Sequence, residues 1–453
     1  MSNRSKPTVS KRRGKVSVEV LLQWAIKAHQ TRDLVTAHQL YKLILQRNPI
    51  HPDALHFLGV LSHQRGCSDD GIRYILLALA YAPQYTDAHN NLGNIYKECG
   101  RYAEAENCYR QALECDKTHY NALNNLALVL QVQERPDEAM QTYRQLLTLA
   151  PNYTFTHYHM GLFLREYPQN MQDIEQSAEH FSQAWFLDNE NVHALQALGE
   201  TLYLLGRKDE AVDVYRRWCA QQPDNPVPQH LLAACGGATT PIRANDDYIC
   251  KVFDSFASSF DEQLLNNLDY RAPQVLSETL HKMLPEPQRN LDVLDAGCGT
   301  GLCAPLVREY ARSLVGVDLS VGMIGKAQAH GMYDQLVTAE LTVFLQQHPL
   351  EYDLIISADT LVYFGDLHEV LTHAGQALRT GGVIGFTVEV LENEMEESVL
   401  GPSGRYQHNQ SYLSRILAEC GFSDIQIHAD ALRKEAGKLV MGWIVVARRE
   451  MLI

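Results

Sequence analysis

Near residue 300 of this 453-residue chain the text reads Leu294-Asp295-Ala296-Gly297-Cys298-Gly299-Thr300-Gly301. Glycines at 297, 299 and 301 allow a tight turn and let a ligand approach the backbone, and a helix expected from near Leu302 would present free N–H groups beside it. The dinucleotide pattern needs its third glycine at 302, where Leu stands, and no P-loop lysine follows. Twenty-one residues past Gly297, Gly316-Val317-Asp318 puts a carboxylate at a strand end, where it can accept both hydroxyls of a ribose. Asp359 follows the apolar run Asp353–Ala358, Tyr363 lies one helical turn on, Glu389 follows the run Val383–Val388 and His408 sits in Gly404–Asn409. These four are the candidate bases or orienting groups for an acceptor that must lose a proton. Glu392, Glu394, Glu396 and Glu397 form an acidic run that would attract a cationic acceptor, or is simply a solvated loop.

The elements that position these residues are short apolar strands, Leu291–Ala296, Leu314–Val317, Asp353–Ala358 and Val383–Val388, alternating with helical stretches. That alternation predicts a mostly parallel α/β sheet. Just before it, Ile249, Val252, Phe253, Phe256 and Phe260 recur at helical spacing.

The front half is periodic. Pro49, Pro83, Lys117 and Pro151 stand 34 residues apart; Gly59, Gly93, Ala127, Gly161 and Gly199 keep the same register, as do Tyr41, Ile75, Tyr109, Tyr143, Phe181 and Tyr215. One step is 38, with Tyr167-Pro168-Gln169-Asn170 as the insertion. Small residues at fixed points let helices approach closely, the larger set is expected to fill grooves between neighbouring repeats, and proline ends the second helix of each unit.

These positions resemble the tetratricopeptide (TPR) repeat, six copies over 18–225. The resemblance implies an all-α superhelix that binds a peptide or partner protein on its concave face, or self-associates. Two residues before the small position stand Phe57, Asn91, Asn125, His159 and Ala197. Asn91 and Asn125 are similar to the asparagine ladder of O-GlcNAc transferase repeats, whose amides hold an extended peptide, although the ladder is broken here; a plain helix-surface asparagine is the other reading.

The glycine loop with Val317-Asp318-Leu319-Ser320 resembles the class I S-adenosylmethionine-dependent methyltransferases, a Rossmann-like α/β fold, over 246–453. By that resemblance Gly297, Gly299 and Gly301 pass beneath the methionine part of S-adenosylmethionine, with Asp295 nearby. Asp318 holds the ribose, Leu319 and Met323 flank the adenine, and Glu340 and Leu341 take the adenine side. The whole arrangement is similar to bacterial TPR-repeat methyltransferases. That likeness implies a helical lid over 246–290 ahead of a sheet domain at 291–453, with Arg405, Tyr406 and His408 facing substrate. A basic flexible tail, 1–17, and a linker, 226–245, complete the expected layout.

The net charge is −15, and from Asp246 onward 15 Lys/Arg face 29 Asp/Glu, a balance of −14. So acidic a back half argues against nucleic acid as partner. No apolar run approaches the roughly 18 residues that span a bilayer, so no membrane partner is expected. No secretory leader is read near the N-terminus, and ten scattered cysteines suit reduced thiols in the cytoplasm. No metal signature is present. Three functions remain open: a methyltransferase acting on a protein or peptide held by the repeats, a small-molecule methyltransferase whose repeats serve docking or a homodimer, and a non-catalytic scaffold.

Overall fold

The computed structural model describes residues 16–257, 260–262, 268–435 and 438–450; the expected basic tail, 1–17, lies outside these apart from its last two residues. Six helical hairpins run from α1 (Val18–Gln30) to α12 (Lys208–Gln221). Helices α2 (Leu34–Arg47), α4 (Ser68–Tyr81) and α8 (Pro136–Leu149) each stop two residues short of Pro49, Pro83 and Pro151. The ring of a proline pushes the residue before it out of the helical region.

Gly93 of α5 (Thr86–Glu98) faces Tyr109 of α6 (Tyr102–Cys115), and a methyl group at Gly93 would stand 2.5 Å from that ring. Gly199 meets Tyr215 in the same way. The aromatic therefore fills the space between the two helices of its own repeat, and Tyr41 also stacks on Phe57 of the next repeat at 6.1 Å, in the groove between neighbours that the sequence suggested. Sixteen residues separate glycine and ring, the length of one hairpin, so the two come face to face and the glycine leaves room for the ring.

Residues 226–245 are not simply a linker. Pro226–Ala234 form α13, capped by the Asn225 side chain on Val227 N–H. Pro226 sits in its first turn, where the missing N–H costs nothing, so the proline starts a helix there. The chain falls into two compact units, through Met160 and from Gly161, with the division inside α9 (Thr154–Glu166). Helices α10 (Met171–Leu187), α11 (Val192–Leu204), α12 and α13 thus share a unit with the sheet.

That sheet runs β3 (Gln335–Thr338), β2 (Ala311–Asp318), β1 (Leu291–Ala296), β4 (Tyr352–Ser357), β5 (Leu378–Val390), all parallel. Strand β9 (Lys438–Arg449) pairs antiparallel with the other edge of β5 and carries β8 (Phe422–Glu435). Where β4 stops, β7 (Tyr406–His408) takes its place beside Glu389 and Val390, and β6 (Ser398–Leu400) closes a hairpin on it. Val-, Ile- and Leu-rich strands buried on both faces give this core its stability.

Among the described residues of the expected lid, α14 (Asp246–Phe256) and the short α15 (Phe260–Glu262) bring Ile249, Phe253 and Phe260 to the cleft, and Tyr270 and Pro273 line it as well. Helix α16 (Ala272–Met283) buries Ala272, Val275, Leu276 and Leu280 in one core with Val383, Ile444 and Val446, so it is a layer of the sheet domain. The helix expected after the glycines is one turn, α17 (Ala304–Val307). Helices α18 (Val321–His330), α19 (Leu341–Gln347), α20 (His368–Ala377) and α21 (Gln410–Glu419) complete the fold. No helix among the described residues is long and apolar enough to cross a membrane.

Candidate active site

The glycine loop is folded by its own backbone onto the end of β2. Gly297 and Cys298 N–H both donate to the Val317 carbonyl, at 2.8 and 2.9 Å, and Gly299 N–H donates to Asp318 Oδ2 at 2.9 Å. Gly297 has φ +79°, and any Cβ there would overlap the Thr360 side chain, whose hydroxyl donates to the Gly297 carbonyl. Gly299 is also left-handed, at φ +54°, with open space where a Cβ would be. Gly301, at φ +97°, lies close to Tyr333 and does not line the cleft. Its glycine serves packing, not the ligand side expected of it.

Asp318 accepts a second N–H, from Ser320 at 2.8 Å; burial still pushes its carboxyl above the usual range. Ser320 caps α18 and donates to Asp254 of α14 at 2.5 Å, and Gly322 N–H donates to the same oxygen at 3.1 Å. This clamp holds α14 over the adenine side of the expected site. Glu340 caps α19 through Val343 N–H at 2.8 Å, so one of its oxygens is already spent. Asp295 does not line the cleft: it is buried beneath the loop, accepts from Tyr333 Oη at 2.7 Å, and burial pushes it up to about 7.

These residues border a cleft of about 970 Å³, mouth included, lined by Gly297, Gly299, Asp318, Leu319, Met323, Glu340 and Leu341. Phe253, Phe260, Tyr270, Asp359, Tyr363 and Phe364 line it too. Phe253 stands edge-on to Tyr363, with centroids 5.6 Å apart, and to Phe260 at 6.0 Å. Asp359, at φ +54°, is held by its own N–H to Thr387 Oγ1 at 2.9 Å. Among its neighbours is a side chain no motif in the sequence singles out. Arg433, 3% exposed, donates to Asp359 at 2.8 Å, to Glu435 at 2.7 Å and to Glu389.

Three sequence expectations change here. Glu389 is 5% exposed, away from the cleft wall and bound to Arg433, so it braces that wall instead of serving as a free base. Burial raises the Tyr363 hydroxyl, which makes it a hydrogen-bond donor near neutral pH and not a base. Tyr406 and His408, expected to face substrate, are buried off the cleft. The Tyr406 hydroxyl donates to the Pro241 carbonyl at 2.5 Å, and His408 stacks over Tyr412 with its pKa pushed down to about 4 by burial. Arg405 is likewise engaged within the protein, with Glu435 at 2.7 Å.

In the N-terminal unit, Asn91 and Asn125 are tied to each other's neighbourhood. Asn91 Nδ2 donates to His56 Nε2 at 2.8 Å, and Asn125 Nδ2 donates to Asn90 and Asn94 at 3.2 and 3.0 Å. Their amide N–H groups are already satisfied by side chains, so a peptide would have to compete for them.

Arg433, Phe253, Tyr270 and Thr360 were not singled out as site residues from sequence. Phe253 carried a signal, its place in the helical Phe/Ile pattern; Arg433 sits in a strand that no motif marks.

The sequence matches the methyltransferase domain family over residues 268–427 and tetratricopeptide repeat families over 86–119, 108–141 and 171–235. It is 40% identical over 85 residues to methyltransferase-like protein 27 of Homo sapiens, covering 18% of this chain and 34% of that one. It is 31% identical over 115 residues to a malonyl-acyl-carrier-protein O-methyltransferase of Acetivibrio thermocellus, 25% of this chain and 41% of that one. Over 162 residues it is 25% identical to anaphase-promoting complex subunit 3 of Schizosaccharomyces pombe, 36% of this chain and 24% of that one. The chain thus spans well under half the length of each of these relatives. Fold, glycine loop and family matches together define a class I methyltransferase domain. The chain carries TPR repeats followed by that domain.

Proposed function

We propose that the cleft binds S-adenosylmethionine and that the protein transfers its methyl group to a protein or peptide acceptor. The observation that carries the cofactor reading is the joined pair of Asp318 and the left-handed Gly297–Gly299 loop, a cradle with a carboxylate at its rim and room for a ligand against the backbone. Asp318 would hold the ribose hydroxyls, Leu319 and Met323 the adenine, and Gly297 and Gly299 the methionine end. The cofactor supplies an electrophilic methyl group on a sulfonium, whose transfer is governed mainly by alignment.

The chain's own residues do the aligning and the drying. Phe253, Phe260, Tyr270 and Tyr363 wall the acceptor side and exclude water. The Tyr363 and Tyr270 hydroxyls, both pushed up by burial, are donors to an acceptor's lone pair. Asp359 is a carboxylate on that wall, and Arg433 fixes its direction. A proteinaceous acceptor is favoured by the repeats, whose partner-binding architecture shares a chain with the cleft.

The test is calorimetric titration with S-adenosylmethionine and S-adenosylhomocysteine, followed by transfer of a labelled methyl group from cofactor to extract. Label in acid-precipitable protein supports a protein acceptor; label confined to the soluble fraction supports the small-molecule alternative. No cofactor binding by folded protein overturns the enzyme reading. A homodimer and a cytoplasmic location stay with this proposal and are checked by light scattering and fractionation.

A further inference from the structure

The boundary between repeats and sheet domain is crossed by a contact of unusual composition. His230 of α13 is 5% exposed, and its Nε2 lies 2.9 Å from the carbonyl of Gly404, 174 residues later. Its ring stacks on Tyr248 of α14, with centroids 4.1 Å apart at 29°. Gly404 has φ +77°, and a Cβ there would overlap the Tyr248 hydroxyl. Residues from a repeat helix, a lid helix and a hairpin loop therefore close on one point. A residue that merely filled this seam would be aliphatic, because a buried imidazole costs free energy unless its N–H finds an acceptor.

Both partners of His230 lead to the cleft. Tyr248 is followed on α14 by Ile249 and Phe253, which line it. Gly404 belongs to the 401–405 loop between β6 and β7, closed by Gly401 N–H on the Arg405 carbonyl at 2.8 Å. Arg405 then reaches Glu435 with both terminal nitrogens at 2.7 Å, and Glu389 at 3.5 Å. Those carboxylates share Arg433 with Asp359, on the cleft wall. The hairpin is seated on α13 a second time, where Ala233 and Ala234 cluster with Leu400 and Tyr406.

We propose that α13, after the last TPR hairpin, is part of the methyl-transfer site, with His230 as the positioning residue that fixes the 401–405 loop and thereby Arg405 in the charged cluster behind the acceptor wall. This rests on reading the cleft as a methyl-transfer site. Helix α13 is then built into the acceptor side of that site, while the glycine loop is tied to Asp318 by its own backbone.

The experiment uses the full-length protein with His230→Phe, which keeps the ring stack and loses the donor, and His230→Gln, which keeps a donor and loses the stack. Backbone hydrogen exchange is followed by mass spectrometry, and S-adenosylhomocysteine affinity by titration. In His230→Phe, amides of residues 401–408 should exchange roughly tenfold faster, the worth of one hydrogen bond, with α14 unchanged and product affinity within about twofold of the parent. His230→Gln should return the loop to within about threefold of the parent, a rescue that a purely steric role would not give. Unchanged loop exchange in His230→Phe, a loop as unprotected in His230→Gln, or a larger loss of product affinity would overturn the proposal. Should the parent itself fail to bind S-adenosylhomocysteine, the methyl-transfer reading fails, and the exchange comparison still decides whether His230 holds the loop.

Discussion

Asp318 Oδ2 accepts the N–H of Gly299 at 2.9 Å, so the acidic end of β2 and the glycine loop after β1 are one rigid piece. The residue expected to hold a ribose also sets the shape of the loop expected to hold the rest of the cofactor. Asp318→Ala should therefore weaken S-adenosylhomocysteine by about 2 kcal/mol or more, roughly 30-fold, for loss of charged hydrogen bonds. Asp318→Asn should keep part of the loop order and lose less. Equal affinity in the parent and Asp318→Ala would remove this carboxylate from the site.

Asp295 gives a pH signature. Its carboxyl is raised by burial to about 7, so between about 4 and 7 the folded protein binds more protons at this site than the unfolded chain. Stability contributed here falls as pH rises through that window. Asp295→Asn cannot ionise and should gain on the parent at pH 8 by on the order of 1–3 kcal/mol, with the difference shrinking towards pH 4. Paired thermal melts at the two pH values measure it; a gap that does not depend on pH would contradict the raised carboxyl.

Arg433 is the hub of the acceptor wall, bound to Asp359, Glu389 and Glu435. Arg433→Met leaves three carboxylates without their common partner and should cost about 3–5 kcal/mol, seen as a lowered melting temperature. Arg433→Met combined with Glu389→Gln should recover part of that loss, because one stranded charge is removed.

In the repeats, Gly93→Ala places a methyl group 2.5 Å from the Tyr109 ring. Overpacking of this kind should destabilise by about 1–3 kcal/mol in urea denaturation. Tyr109→Leu in the same chain should relieve it, and failure to do so would mean the pair is not in contact.

Much of this was legible in the chain. Spacing alone marked six helical hairpins, because close helix packing demands a small residue at a fixed place in each. The first strand was read to the residue, and Asp318 and the glycine loop were found because tight turns and strand ends use so few residue types. Sequence also placed Asp359 and Tyr363 near one another, being four residues apart just after a strand.

What it could not supply were partners distant in the chain. His408 and Tyr406 were expected to face substrate, yet β7 fits into the gap where β4 ends, and both side chains are buried. Glu389 looked like a free base until Arg433, 44 residues on, was folded against it. Pro226 looked like a linker residue, although proline in a first turn opens a helix, and His230 in that helix meets a glycine 174 residues away. Local sequence fixes backbone preference, which is set by sterics within a few residues. Whether a polar side chain faces ligand, solvent or another charge depends on which strands become neighbours, and only the tertiary fold decides that.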